Sequence, residues 1–227
     1  MSGGDSLRGR TPPPRGRLAR APVRVSACSG ARYAGRMARN AEETRRKILT
    51  AATEEFARHG VAGARVDRIT TVDEVNNALL YRYFGSKVDL FDTVYSRVVT
   101  ELIEAVPLDA DDLPGYAGRV FDHHESHPEA VRLAAWRGLE RPESPVPEAV
   151  VEARRDKAAR IAAAQRAGTV PSALPPESLR DLLVLLPLGG SPFGTTGGAG
   201  DGGRSTDEER ARRRETMVTA ARSLVGG

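Results

Sequence analysis

Cysteine is nearly absent from this sequence: Cys28 stands alone among 227 residues. A single thiol excludes an internal disulfide and suits a reducing cytoplasm. No apolar run approaches the roughly 18 to 20 residues of a membrane span, so no membrane is expected as a partner. Aromatic residues make up 5% of the chain, with one tryptophan, Trp136. There is no nucleophile elbow, no paired-acid motif and no dinucleotide fingerprint, so neither turnover nor a cofactor has a basis in the sequence. The Gly-rich stretch 189–203 lacks the Gly-Lys-Ser/Thr ending of a phosphate-cradling loop and any strand before it. It reads as a connector. Acids are scarce in one region only: residues 1–40 hold nine arginines and one acid, Asp5, for a charge of +8. The whole chain is +4, which leaves −4 on the rest. The basic balance belongs to the tail, and any nucleic-acid surface on the body has to be local.

What the chain does have is helical periodicity. Its 40% apolar content is enough for a core. The expected class is all-α, with nine or ten helices. Residues 1–40 are rich in Arg, Gly, Pro and Ser without an apolar period, and read as a disordered basic tail. From Ala41 to His59, Leu49, Ala52 and Phe56 recur at helical spacing with Ile48 alongside, and Gly60 follows as a helix end.

The informative stretch is Val66 to Lys87, VDRITTVDEVNNALLYRYFGSK. Val66, Ile69 and Thr70 share one face of a first short helix. After a join, Leu79, Leu80 and Phe84 keep one side of a second short helix buried. Asn76, Asn77, Ala78, Tyr81, Arg82 and Tyr83 lie between them. Asn and Arg match the paired hydrogen bonds of base edges, and Tyr and Arg hold phosphates. Gly85-Ser86 ends the second helix. Ser86 caps the next, with Asp89 three residues on as its partner. Lys87 stands at that helix N-terminus, where phosphate is favoured.

Ala78 to Phe91, ALLYRYFGSKVDLF, resembles the recognition helix and following helix start of the TetR family of one-component repressors. Arg45 to Gly60, RRKILTAATEEFARHG, resembles that family's first helix. The resemblance implies a helix-turn-helix DNA-binding unit at 41–86 and a helical effector-binding and dimerisation domain at 87–227. It implies a ligand-responsive regulator, a repressor, bound to a palindromic double-stranded operator as a homodimer. Its partners are DNA, a small-molecule effector the sequence does not name, and a second copy through the C-terminal helices. The DNA-binding set is Arg65, Asn76, Asn77, Ala78, Tyr81, Arg82, Tyr83 and Lys87. Asn76, Asn77 and Ala78 face bases; Tyr81, Tyr83 and Lys87 hold the backbone; Arg82 does either. Arg65 takes the place where the family often has a capping Ser or Thr. Asp73 and Glu74 depart from the family's Ala and Gly at the join, and two acids beside phosphate oppose binding. The alternative is therefore a relative that folds and dimerises but binds DNA weakly. Met37 looks like an ordinary start for such a repressor, so residues 1–36 are open to three readings: upstream sequence, a phosphate-gripping arm, or a targeting peptide.

Beyond Pro107 the expected helices are 115–125, 128–139, 148–167 and 177–188, and a last one opened by a capping box at Thr206. Leu182 to Leu186 is apolar on every side and reads as covered, most simply by a second copy. Met217, Ala221 and Leu224 share a face with Val218 and Val225. His123, His124 and His127 with Asp122 and Glu125 lack the pattern that completes a tetrahedral set, so no metal is assigned. Trp136, Phe121 and Leu133 read as core, with an effector pocket as the alternative.

Overall fold

A computed structural model describes residues 27–71, 76–190 and 206–226, with side chains from residue 39 onward. The chain divides into two compact units, Met1–Ala41 and Glu42–Gly227. All packing below concerns the second. Nine α-helices occur among the described residues: α1 (Ala27–Gly63), α2 (Val66–Thr70), α3 (Asn77–Phe84), α4 (Lys87–Ala105), α5 (Leu113–Ser126), α6 (Pro128–Glu140), α7 (Glu148–Ala167), α8 (Pro176–Leu185) and α9 (Asp207–Val225). A short 3₁₀ turn, Leu186–Gly190, extends α8.

The first helix begins at Ala27, inside the span read as tail. The last proline before it is Pro22. From Ala27 on the chain is rich in Ala and Arg, which favour helix. Residues 1–26, the Gly-rich stretch 191–205 and the join 72–75, with Asp73 and Glu74, lie outside the described residues. The expected helix end at Gly60 is a kink: φ is 66° and ψ −171°, a region essentially closed to residues with a Cβ. A Cβ there would stand 2.6 Å from Glu140 Oε1 and 2.8 Å from Trp136.

Two apolar cores meet along α4. The first gathers Ile48, Leu49, Ala52 and Phe56 of α1, Ile69 of α2, Leu80 and Phe84 of α3, and Leu90, Phe91, Val94 and Val98 of α4, closed by Leu133 of α6. Phe56 and Phe91 meet edge to face with centroids 5.3 Å apart, an arrangement that favours the ring quadrupoles. The second gathers Val106 and Leu108 after α4, Leu113, Tyr116, Ala117 and Val120 of α5, Ile161 and Ala164 of α7, Leu179 and Leu183 of α8, and Ala221 of α9. Trp136 is core, half-buried against the first cluster. Its Nε1 donates to Ala57 O at 3.3 Å.

The expected caps are in place. Ser86 Oγ accepts from the Asp89 N–H at 3.1 Å, and Asp89 Oδ2 accepts from the Ser86 N–H at 3.1 Å. Thr206 and Glu209 make the same reciprocal pair at the start of α9. The last helix is poor in apolar residues, and two ion pairs link it to α5. Arg214 Nε donates to both Asp122 oxygens at 3.0 and 2.8 Å, and Arg213 Nη2 to Glu125 Oε2 at 3.0 Å.

Candidate nucleic-acid interface

The sequence places a buried face and a polar face on α3, and the packing follows except at Leu79, which sits at the edge of the buried face and is only partly buried. Leu80 and Phe84 are buried, while Asn76, Asn77, Ala78, Tyr81 and Arg82 are exposed, Tyr81 to 45%. Tyr83 is half-buried against the first core, its ring 6.2 Å from that of Phe84. Arg82 lies 5.8 Å from the Tyr83 ring centroid, held along the surface of the helix.

The two asparagines have structural work in this state. Asn76 is the N-cap of α3, its Oδ1 accepting from the Leu79 N–H at 2.7 Å. Asn77 bridges to α2: its Nδ2 donates to Asp67 Oδ1 at 2.6 Å, and its Oδ1 accepts from Thr70 Oγ1 at 2.8 Å. One residue thus ties the two short helices together from both ends of its amide. Lys87 is turned toward the end of α1. Its Nζ donates to Ala64 O at 3.1 Å and Ala62 O at 3.4 Å. Arg65 is exposed and occupies the N-cap of α2 without a side-chain cap bond. Its N–H donates to Glu55 Oε1 at 2.9 Å. Of the expected set, Ala78, Tyr81, Arg82 and Arg65 point to solvent; Asn76, Asn77, Tyr83 and Lys87 also make the contacts that set their position.

Two acids that hold this unit together went unread in the sequence. Glu55 is 8% exposed. Its Oε1 accepts from the Arg65 N–H and from Arg68 Nη1 at 3.2 Å, and its Oε2 lies 3.8 Å from His59 Nε2. The available signal was its phase: Glu55 falls one residue before Phe56 and seven after Ile48, on the apolar side of α1. A carboxylate there must be paired. Glu140 is the second. Its Oε2 accepts from the Val61 N–H at 2.6 Å and the Ala62 N–H at 3.1 Å. It satisfies backbone donors exposed by the Gly60 kink. The next residue, Arg141, grips Asp92 of α4 with two bonds, 3.2 and 2.8 Å.

A cavity of about 410 Å³ opens beside the second core. Its longest wall is α4, where Tyr95, Val98, Val99, Leu102 and Ile103 recur at i, i+3, i+4, i+7 and i+8, with Val106 just past its end. Tyr116, Val120 and His124 of α5 form a second stripe at i, i+4 and i+8. Helices α6, α7 and α8 complete it. Burial, then the His123 charge, pushes His124 down to about 4, so the ring is neutral near pH 7. Its Nδ1 has no hydrogen-bond partner among the described residues. Burial pushes Tyr116 up to about 12. Phe121, Leu133 and Trp136 do not line this space.

His127 caps the end of α5, Nδ1 to His123 O at 3.1 Å, and the two rings stack at 4.3 Å. Asp122 and Glu125 are taken by Arg214 and Arg213. Among the described residues no three His, Cys, Asp or Glu side chains cluster as metal ligands, and no helix is long and apolar enough to cross a membrane.

A short helix with an outward polar face, followed by one long helix that leads into a cavity-bearing helical body, is the arrangement of a ligand-responsive DNA-binding regulator. Comparison with known proteins agrees. The family model "Bacterial regulatory proteins, tetR family" matches residues 48–94. "Tetracyclin repressor-like, C-terminal domain" matches residues 112–223. The HTH-type transcriptional repressor SCO4008 of Streptomyces coelicolor is 40% identical over 154 residues, 66% of this chain and 79% of that protein. The HTH-type transcriptional repressor NicS of Pseudomonas putida is 34% identical over 116 residues, 48% of this chain and 54% of that one. The solved structure of the transcriptional regulator SCO4942 from Streptomyces coelicolor is 33% identical, with a TM-score of 0.65 over 80% of this chain and 98% of that chain. Salmonella enterica GusR, 20% identical with a TM-score of 0.60 over 82% and 96% of the two chains, shares the fold. The chain belongs to the tetR family, and within it stands as a ligand-responsive DNA-binding transcriptional repressor.

Proposed function

We propose that two copies pair through α8 and α9 and set their α3 helices about 34 Å apart, in successive major grooves of a near-palindromic operator. The observation that carries this reading is the outward face of α3. Ala78 and Arg82 face base edges, and Tyr81, with Arg65, holds phosphate. The Asn76 oxygen caps the helix, which leaves its Nδ2 for an acceptor on a base. Asn77, Tyr83 and Lys87 fix the angle of α3 and reach DNA after rearranging the bonds they now make. Residues 41–86 act as the DNA-binding domain and 87–227 as the effector and dimer domain.

Pairing through α8 is supported by its unfinished burial. Leu179 and Leu183 are buried within the chain, but Leu182 and Leu185 stay 38% and 58% exposed. A small molecule in the cavity presses on the α4 wall, and α4 starts directly after α3. It releases DNA because it binds better to the dimer spacing that misfits the half-sites. Such a protein works in the cytoplasm, beside its DNA, and has no turnover.

Selection of bound fragments from random duplex DNA tests this. The expected result is an inverted repeat with half-sites one helical turn apart, bound by a species that sediments as a dimer. No enriched sequence, together with no gel shift of the upstream DNA at low salt, would favour the second reading. There, Asp73 and Glu74 repel phosphate and the protein folds and dimerises around its ligand while binding DNA weakly.

A further inference from the structure

The charges around the cavity are unequal, and one of them is poorly compensated. Arg154, Lys157 and Arg180 line it with a single acid, Asp181. That acid is already occupied: Arg180 donates to its Oδ1 through Nε at 3.0 Å and Nη2 at 2.8 Å. Arg180 also donates to Arg154 O at 3.1 Å, which ties α8 to α7. Lys157 has no such partner. Its ammonium donates to Tyr116 Oη at 2.8 Å and sits 5.0 Å from the same ring's centroid. Among the described residues no carboxylate lies within ion-pair distance of it. Burial lowers the Lys157 pKa, although Asp156 pulls the other way. A half-buried ammonium held only by a phenol gains strongly from an anion.

We propose that the cavity takes an apolar-bodied organic anion, its carboxylate seated on Lys157 and Tyr116. This deepens the reading of the cavity as an effector site and rests on it. Lys157 supplies charge and Tyr116 its hydroxyl proton, so a carboxylate receives two donors from two helices. The body lies over Val120 and along Val98, Val99 and Leu102, apolar groups with nothing to offer a charge. Two turns of α5 beyond Tyr116, the neutral His124 ring closes the far end of the cavity. A cation of the same shape would meet Lys157 and Arg154 as like charges, with Asp181 already bound.

Three probes that share one ring system separate charge from shape: 2-naphthoate, 2-naphthamide and 2-naphthylmethylammonium. Calorimetry and thermal melting on the full chain should show naphthoate binding about tenfold or more tighter than the other two, a difference of about 1.4 kcal/mol. Lys157→Met should bring naphthoate down to the level of the amide, and Lys157→Arg should keep most of the preference. If Lys157→Met does not fold, Tyr116→Phe provides the second variant and should weaken naphthoate alone. An ammonium probe that ties or wins overturns the proposal. So does a folded Lys157→Met that keeps the naphthoate preference, or a failure of all three probes to raise the melting temperature. DNA binding is measured separately by gel shift. A chain that shifts DNA but ignores charge in the cavity loses this ligand class and keeps its function; a chain that shifts no DNA loses the function whatever the cavity binds.

Discussion

Asn77 illustrates how one side chain can carry two arguments at once. By type it suits a base edge; by position its amide spans Asp67 and Thr70 and locks α2 to α3. Sequence could not separate these, because the Asp67 to Asn77 pairing crosses the join and no local period reports it. Asn77→Ala should therefore lower stability by about 1 kcal/mol, roughly the net worth of one hydrogen bond because both are partly open to water. An unchanged denaturation midpoint would show that the bridge contributes nothing. The exposure of Ala78, Tyr81 and Arg82 was legible because they lie out of phase with Leu80 and Phe84; Arg65 was singled out by resemblance alone. Glu55 and Glu140 were not legible, since a carboxylate that binds backbone N–H groups looks in sequence like any solvated acid. The acids at the join make a second case. Replacing Asp73→Ala together with Glu74→Gly should tighten operator binding, by gel shift at matched salt, through lost repulsion from phosphate. Equal or weaker binding would acquit both residues.

Elements were legible where the sequence punctuates them. The helix Glu148–Ala167 stops at Gly168, whose φ is 77°, as the sequence indicated. The Ser86 and Thr206 capping boxes also form where they were expected. Less legible was how α9 docks. Its Met217, Val218, Leu224 and Val225 are only half-buried, and Ala221 alone is buried. Closeness comes instead from Gly118 on α5, where a Cβ would stand 2.9 Å from Arg214 Nη2 and 3.0 Å from Val218 Cγ2. That contact pairs residues about a hundred positions apart, so no window of sequence contains it. Gly118→Val should push α9 away, destabilise the chain by about 1 to 3 kcal/mol and separate Arg214 from Asp122. Chemical denaturation measures the first effect and protease nicking of the C-terminal segment the second. A variant as stable as the parent would mean α9 gives way freely. The ion pairs of α9 add little each at this exposure.

At the scale of the whole molecule, burial rather than sequence sets the response to pH. His124 titrates near 4 when folded and near 6.5 when unfolded. Below about 6.5 the unfolded chain takes up a proton the folded chain refuses, so stability falls as pH drops from about 6.5 toward 4. Tyr116, raised to about 12, acts at the other limit. Above about 10 the unfolded phenol ionises first, and stability falls again. His124→Phe should flatten the acid limb of a plot of melting temperature against pH, while a limb as steep as the parent's would move the cause to the carboxylates. The overall plan, reader in front and body behind, was legible from two motifs and a helical period. The cavity was not, because its walls come from five helices and only their packing brings the stripes together.

The helix α4 contributes Leu90, Phe91, Val94 and Val98 to the first core and borders the second with Leu102. Neither half can then melt in isolation without tearing apolar surface from a rod its neighbour still needs. A calorimetric scan should yield one endotherm, and whatever fills the chamber should delay loss of the reading head as much as loss of its own walls.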